Sequence, residues 1–347
     1  MKYLMILLFF VPVALLSRYL GGPPLLTLTT AALGIIPLSG LMGRGTEELS
    51  VRAGPRVSGL VNGTLGNAAE LIITFFAIRA GLLELVKASI TGSILGNLLL
   101  VMGLSLLVGG LRHGVQRFDR SQAGLDATML ILAIIALAIP SLFGHTIEVV
   151  NHDAVEYLSL GVAGMMILVY ALGLIYSFRA NGGAVEAPHT QPTWSPAKAG
   201  LVLGISTVLV AWLSEVLVTV VEPALEHLGW SEFFLGIVIV PIVGNVAEHL
   251  VAVQVAAEDQ MDLSLSISVG SSLQIALLVA PVLVFLSLAM GNPLTLVFNK
   301  FELIALVAAG LIATLVALDG ESNWMEGIQL LVVYAILALA FFYLPME

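Results

Sequence analysis

The feature that most limits the fold of this chain is a series of long apolar runs separated by short polar segments. A helix that spans a membrane needs about 20 mostly apolar residues. Eleven runs qualify, at roughly residues 3–20, 25–43, 57–79, 83–110, 123–143, 155–178, 197–224, 231–256, 262–289, 299–318 and 324–344. Several exceed the thickness of a bilayer or contain Pro or paired Gly, so tilts, kinks and local breaks are expected. The pattern predicts an all-α polytopic membrane protein with 11 transmembrane helices.

The composition agrees with a lipid bilayer as the surroundings. Of the 347 residues, 59% are hydrophobic and only 10% are charged, whereas a soluble domain carries about 25% charged residues. Cysteine is absent, which excludes disulfides and thiolate metal sites. A net charge of -10 argues against nucleic acid as a partner, because phosphate neutralisation needs basic surfaces.

One short sequence occurs twice inside the apolar runs. The first copy is Gly66-Asn67-Ala68-Ala69-Glu70, and the second, 178 residues later, is Gly244-Asn245-Val246-Ala247-Glu248. Without a gap, the same shift places Gly92-Ser93 on Gly270-Ser271. A register that is kept over this distance indicates an internal repeat.

The two copies divide the chain into halves. Residues 180–196 are polar and rich in Gly and Pro, which predicts a linker; residues 25–179 and 197–347 contain five predicted helices each. Because five is odd, the second half enters the membrane in the opposite orientation, and the result is an inverted-topology repeat. Residues 1–24 add an N-terminal helix, which is interpreted as retained because no small-residue cleavage site follows it; a cleaved signal peptide is the alternative.

The distribution of basic residues predicts the orientation. With 11 spans, nine Lys and Arg residues fall on one side of the membrane and four on the other. Positive residues accumulate in the cytoplasm, so the N-terminus is predicted to be cytoplasmic and the C-terminus external. The expected location is the cell (plasma) membrane, and the sequence is compatible with a homo-oligomer.

Glu70 and Glu248 are the strongest functional candidates. A charge deep in a membrane span costs at least about 2.5–3.5 kcal/mol, so each carboxylate must be neutralised by a cation or a proton. Burial and a second carboxylate nearby favour protons in an empty site, whereas a divalent cation offsets the desolvation and displaces them. The duplicated acids therefore predict one site at which a cation and protons compete, which is the basis of exchange.

The neighbours of the two acids suit a hard cation. Ca²⁺ takes about six to eight oxygen ligands, and the residues expected to line the site are Gly66, Asn67, Ser93, Asn97, Gly244, Asn245, Ser271 and Gln274. Gly66 and Gly244 allow close approach or a local unwinding that frees backbone carbonyls. For Asn67 and Asn245, cation ligation and a structural hydrogen bond are both open, and Gly and Ser also pack membrane helices. The sequence contains no cluster of His or Cys residues, so zinc and copper are disfavoured, and no cofactor is expected.

Four stretches resemble a known family. They are GNAAELIITFFAIRAG, SITGSILGNLLLVMG, PIVGNVAEHLVAV and SISVGSSLQIALLVAP, and they are similar to the two repeat motifs of the Ca²⁺/H⁺ antiporters. That family is part of the calcium/cation antiporter superfamily, which also contains the Na⁺/Ca²⁺ exchangers. The resemblance extends over nearly the whole chain. It implies a Na⁺/Ca²⁺ exchanger-like fold with Ca²⁺ and H⁺ as the transported substrates.

The resemblance also implies roles for individual residues. Glu70 and Glu248 would bind the cation and exchange it for protons, with the amide and hydroxyl side chains named above lining the site. His249 is similar to the His of the second family motif, where an interhelical hydrogen bond and a part in proton transfer are both open. Asn97 and Gln274 differ by one place under the 178-residue shift, so the site would be only pseudo-symmetric. The core of the Gly-Ser helix of the second repeat contains Gln274 and no carboxylate, whereas Na⁺-coupled relatives have an acid in that helix. The lack of a third core carboxylate favours protons over Na⁺.

Six further acids are candidates for an entrance or gate: Glu48, Glu222, Glu226, Glu258, Asp259 and Asp262. Glu48 and Glu226 align under the same shift, on the two helices that slide between states in this superfamily. Solvated helix ends are the alternative. Glu222-Pro223 is expected to mark a helix irregularity. The other three acids lie in a short loop, where they would raise the local cation concentration or would simply be solvated.

The sequence thus predicts a secondary transporter that exports Ca²⁺ against inward proton flow by alternating access. A Na⁺-coupled Ca²⁺ exchanger, or an antiporter for another divalent cation such as Mn²⁺, is the alternative within transport. An intramembrane enzyme is disfavoured because HExxH, a catalytic Ser/His pair and cysteine are absent. A channel would carry ions without counter-ion coupling, and a doubled carboxylate site that can hold protons argues against it.

Overall fold

The protein is described by a computed structural model that covers residues 4–53, 65–148, 152–180 and 193–344. A 3₁₀ segment, Leu4–Phe9, precedes the first α-helix. The helices are α1 (Phe10–Tyr19), α2 (Pro24–Ser50), α3 (Ala68–Ala80), α4 (Leu83–His113), α5 (Arg120–Glu148), α6 (His152–Ala180), α7 (Pro196–Thr219), α8 (Val221–Leu228), α9 (Glu232–Ala256), α10 (Met261–Met290), α11 (Lys300–Ala317) and α12 (Trp324–Phe342). A two-residue strand β1 (Gln116–Arg117) pairs antiparallel with β2 (Glu321–Ser322).

Within the described ranges, nine helices are long and apolar enough to cross a membrane. They correspond to nine of the predicted spans. The first predicted span forms a shorter apolar helix, Leu4–Tyr19, and the third, 57–79, begins among residues 54–64, which lie outside the described residues. The all-α multi-pass fold is therefore confirmed, while the number of 11 helices stays a prediction. Most of the predicted linker, 181–192, also lies outside the described residues.

The expected helix breaks are present. π-helical turns interrupt α4 at Gly96–Val101, α9 at Leu235–Ile239 and α10 at Ile275–Val279. The first and third of these occupy nearly matching places in the two halves under the 178-residue shift. Such turns are often found at functional sites. The irregularity predicted at Glu222-Pro223 is also confirmed, because α7 ends at Thr219 and α8 begins at Val221.

Close backbone contact between the halves holds the centre of the molecule together. A Cβ atom added to Gly92 on α4 would lie 2.0 Å from the carbonyl oxygen of Ile237, inside the π-turn of α9. Only glycine permits this approach. Gly92 is thus a packing residue, and its contact fixes α4 and α9 side by side, with the hydroxyls of α4 near the second copy of the repeated motif.

Candidate cation site

The two copies of the repeated motif meet in the interior. A Cβ atom on Gly244 would lie 3.5 Å from Cβ of Glu70, so α9 crosses α3 at the acidic residue of the first copy. Gly66 and Asn67 form a turn directly before α3, whereas Gly244 and Asn245 lie inside α9. Glu70 therefore stands in the first turn of α3, and its predicted position in mid-span depends on residues outside the described ranges.

Glu70 is completely buried, with 0% exposure, and hydrogen-bond donors surround its carboxylate. The hydroxyl of Ser93 donates to Oε1 at 2.5 Å, and that of Ser89 lies 3.5 Å from the same oxygen. Nδ2 of Asn245 donates to Oε2 at 3.0 Å. Both halves of the chain thus contribute to the environment of one carboxylate. Ser89 did not figure among the predicted residues, although its i, i+4 spacing from Ser93 places it on the same face of α4.

Glu248 has a different environment. Its carboxylate accepts a hydrogen bond from the hydroxyl of Ser271 at 2.9 Å, which is the counterpart of the Ser93–Glu70 bond. The residue is half-buried, however, and within the described residues no second side-chain donor contacts it. The two halves therefore present equivalent acids in unequal surroundings, one closed and one partly open.

The two asparagines each offer an unpaired carbonyl oxygen. Asn67 and Asn245 are 2% exposed, and their amide nitrogens donate to Gln274 Oε1 and Glu70 Oε2, both at 3.0 Å. Oδ1 of each residue is buried without a hydrogen-bond donor among the described residues. A buried polar atom without a partner is unfavourable, and an amide oxygen is a good ligand for a hard cation. The nitrogen thus makes a structural bond while the oxygen is free for ligation.

Asn97 and His249 form a polar pair between the halves. Nε2 of His249 lies 3.2 Å from Oδ1 of Asn97, and both side chains are buried. Asn97 stands within the π-turn of α4, and its Nδ2 has no partner in the described part of the chain. The pair gives His249 an interhelical hydrogen bond, which was one of its two predicted roles.

Among the described residues, no basic side chain pairs with Glu70 or Glu248. The ion pairs found in the described ranges do not include Glu70 or Glu248, and the same residues contain no group of three or more His, Cys, Asp or Glu side chains that could hold a metal ion. Two carboxylates, amide oxygens and hydroxyls form a hard, all-oxygen donor set. This chemistry fits Ca²⁺ better than zinc or copper.

The predicted entrance residues do not form one group. Glu48 is 7% exposed; it accepts hydrogen bonds from the hydroxyl of Thr193 and from the backbone of Trp194, the latter at 2.9 Å. It is therefore not a solvated helix end, and its part in an entrance or gate stays a prediction. Glu222 and Glu226 are exposed, so the alignment of Glu48 with Glu226 does not extend to their environments.

Of the three acids predicted to lie in a loop, Glu258 and Asp259 follow α9 in the loop, whereas Asp262 lies in the first turn of α10; all three accept hydrogen bonds. Asp259, which has a left-handed backbone with φ of 62°, accepts from Nε2 of Gln116 at 2.8 Å. Asp262 accepts from the backbone N–H of Asp119 at 2.6 Å, and Glu258 accepts from Gln254 at 3.0 Å. The bonds of Asp259 and Asp262 tie the loop and the start of α10 to the segment that follows α4, whereas the bond of Glu258 reaches only the end of α9.

Comparisons with known proteins identify relatives over the full length. Residues 23–179 and 198–343 match the family model described as "Sodium/calcium exchanger protein". The chain is 43% identical to a Ca(2+)/H(+) antiporter of Aphanothece halophytica, covering 98% of this chain and 96% of that protein. It is 43% identical to the Ca(2+)/H(+) antiporter ChaA of Bacillus subtilis, covering 96% and 97%.

A solved structure has the same fold. The crystal structure of the selenium-substituted Ca²⁺/H⁺ antiporter protein YfkE superimposes with a TM-score of 0.87 at 41% identity, covering 99% of this chain and 100% of that one.

Proposed function

Because the chain belongs to the sodium/calcium exchanger protein family, and within it to the Ca²⁺/H⁺ antiporters, we propose that it exchanges Ca²⁺ for protons across a membrane by alternating access. This makes it a transporter and not an enzyme, with Ca²⁺ and H⁺ as substrates. The observation that carries the proposal is the approach of the two motif copies: Glu70 of the first half lies against Gly244 and Asn245 of α9, the helix that also carries Glu248. Among the described residues neither acid has a basic partner, and the motif asparagines offer two unpaired amide oxygens.

The exchange follows from the electrostatics of burial. Two carboxylates without a cationic partner cannot both stay charged in a low-dielectric interior. Ca²⁺ neutralises both at once, and protons neutralise them one by one, so either substrate satisfies the site. Competition for the same oxygens means that binding of one substrate releases the other, which couples the two flows.

The donors around Glu70 and Glu248 prepare the site for the cation. Ser93 and Ser271 orient one carboxylate each. Oε2 of Glu70 and both carboxylate oxygens of Glu248 keep a further lone pair for a cation. Asn67 and Asn245 add neutral amide oxygens that bind Ca²⁺ but take up no proton. The acids would therefore account for the competition, and the amides for the preference for a hard divalent ion.

The unequal burial of the two acids suggests an order of events. Glu70 is closed off and Glu248 is half-buried, so a cation would meet Glu248 first and reach Glu70 as the site closes. We propose the cell membrane as the location and a cytoplasmic N-terminus, the latter on the distribution of Lys and Arg along the chain. In this orientation the antiporter would export cytosolic Ca²⁺.

Flux through purified protein in liposomes tests the function. With a pH gradient imposed, ⁴⁵Ca²⁺ should accumulate, and Glu70→Gln or Glu248→Gln should abolish accumulation because neither variant can release a proton at that position. Glu215→Gln is the matched control: this acid is exposed and pairs with Arg79 at 3.8 Å on the surface, where an ion pair contributes little. Uptake that follows a Na⁺ gradient and ignores pH would establish the Na⁺-coupled alternative, and preference for ⁵⁴Mn²⁺ would establish another divalent substrate.

A further inference from the structure

A second buried carboxylate lies against α4, away from the cation site. Glu302, in the first turn of α11, is 1% exposed. Its Oε1 accepts a hydrogen bond from the hydroxyl of Thr91 at 3.0 Å, and its Oε2 accepts one from the backbone N–H of Asn299 at 2.8 Å. Thr91 is itself completely buried. The side chain of Glu302 therefore joins the start of α11 to the middle of α4.

Capping of α11 explains only one of these two hydrogen bonds, the one between Oε2 and the backbone of Asn299. Asn299 and Glu302 form a capping box, in which one glutamate oxygen accepts from the N-cap backbone. The same box starts α12, where Asn323 pairs with Glu326, and there the glutamate is only half-buried. Burial of a carboxylate is unfavourable unless it is well bonded. The second oxygen of Glu302, aimed at Thr91, thus needs a reason beyond the cap.

The position of Thr91 supplies that reason. It stands between Ser89 and Ser93, and residues two apart on an α-helix point to nearly opposite sides. Ser89 and Ser93 face Glu70, while Thr91 faces Glu302. Contacts on both sides of α4 at the same height fix its rotation. One turn earlier, Nζ of Lys87 donates to the carbonyl of Val297 at 3.1 Å, which holds α4 against the segment that leads into α11.

In the part of the chain that the structure describes, the corresponding helix of the second half, α10, has no counterpart of the Thr91–Glu302 clamp. Under the 178-residue shift, Thr91 corresponds to Val269 and Glu302 to Gly124. Val269 lines a cleft between α5, α10 and α11. The half with the clamp carries the fully buried Glu70, and the half without it carries the half-buried Glu248. The presence of the Thr91–Glu302 contact therefore parallels the more complete burial of the acid in the same half.

We propose that Glu302 and Thr91 are positioning residues that set the rotation of α4 and so hold the hydroxyls of Ser89 and Ser93 against Glu70. They do not touch the transported ions. Their effect is on how well the Glu70 half of the site is formed before Ca²⁺ arrives. The inference rests on the proposed function, because Ca²⁺ transport is its readout.

The test is Thr91→Val, which keeps the shape of the side chain and removes the hydroxyl. In the liposome assay we expect the Ca²⁺ concentration for half-maximal uptake to rise roughly 3- to 10-fold, the factor that corresponds to the net contribution of one hydrogen bond. Thr91→Ser keeps the hydroxyl and should restore the wild-type value. Thr314→Val is the control, since that hydroxyl bonds only to its own helix, at Gly310.

The outcomes separate a positioning role from simple structural support. Support alone would lower the yield or thermal stability of Thr91→Val and leave its half-saturating Ca²⁺ concentration unchanged, which would overturn the proposal. Failure of Thr91→Ser to restore the wild-type value would overturn it too. If Thr91→Val does not accumulate as folded protein, Thr91→Ala removes the same hydroxyl, leaves room for a water molecule to bond Oε1 of Glu302, and should show the same rise. Absence of uptake by the wild-type chain would overturn the proposed function and this role together.

Discussion

Replacement of Gly92 by alanine tests how the halves are fixed to each other. The new Cβ atom would lie 2.0 Å from the carbonyl oxygen, 2.6 Å from the carbonyl carbon and 2.7 Å from Cα of Ile237. All three are backbone atoms that cannot rotate away. Since non-bonded heavy atoms do not normally approach within about 3 Å in a packed interior, α4 and α9 must separate by roughly 1 Å.

The expected change in the free energy of unfolding combines two effects. Overpacking of this kind costs about 1–3 kcal/mol, and the helical preference of alanine over glycine returns about 1 kcal/mol. The expected loss of Ca²⁺ affinity is larger than this loss of stability. Ser93 follows Gly92 directly and lies 2.5 Å from Glu70, so a shift of about 1 Å removes a hydrogen bond to a charged group, which contributes about 1.5–3 kcal/mol. The half-saturating Ca²⁺ concentration should rise about 10- to 100-fold.

Two measurements check this prediction: thermal unfolding in detergent and ⁴⁵Ca²⁺ uptake across a range of Ca²⁺ concentrations. Gly96→Ala is the control on the same face of the same helix, because apart from the adjacent backbone of α4 itself no atom of the described structure lies within 4 Å of a Cβ added there. It should be neutral or slightly stabilising. The packing argument fails if Gly92→Ala matches the wild type in both assays, or if Gly96→Ala is equally harmful.

Two further substitutions follow from the same structure. Ser93→Ala should raise the half-saturating Ca²⁺ concentration about 10-fold or more. Ser271→Ala should raise it less, because water can replace the lost donor at the half-buried Glu248 but not at the buried Glu70; equal effects would contradict this reasoning. Trp194→Ala should lower the unfolding free energy by about 1–2 kcal/mol, since its ring lies 4.6 Å from the guanidinium of Arg44 and 4.8 Å from the ammonium of Lys198. A melting temperature unchanged at low salt would show that these contacts do not stabilise the fold.

The sequence determined the class of protein and the centre of the site. Long apolar runs with few charges have no stable arrangement other than membrane helices, and the runs after residue 80 agree closely with the helices of the structure. The repeated motif singled out Glu70 and Glu248 because an acid in such surroundings is costly and an accidental repetition is improbable. Both arguments are local, so they needed no knowledge of packing.

Tertiary structure decided what each residue contacts. The sequence treats Glu48 and Glu226 as equivalent, yet Glu48 is buried and accepts a hydrogen bond from the backbone of Trp194, while Glu226 is exposed. The sequence did not single out Ser89, Thr91 or Glu302, because a hydroxyl or an acid acquires its role from a partner far along the chain. Asn245 and Glu70 are 175 residues apart and Thr91 and Glu302 are 211 apart. Such pairings depend on the rotation and crossing of packed helices, which the periodicity of one helix does not specify.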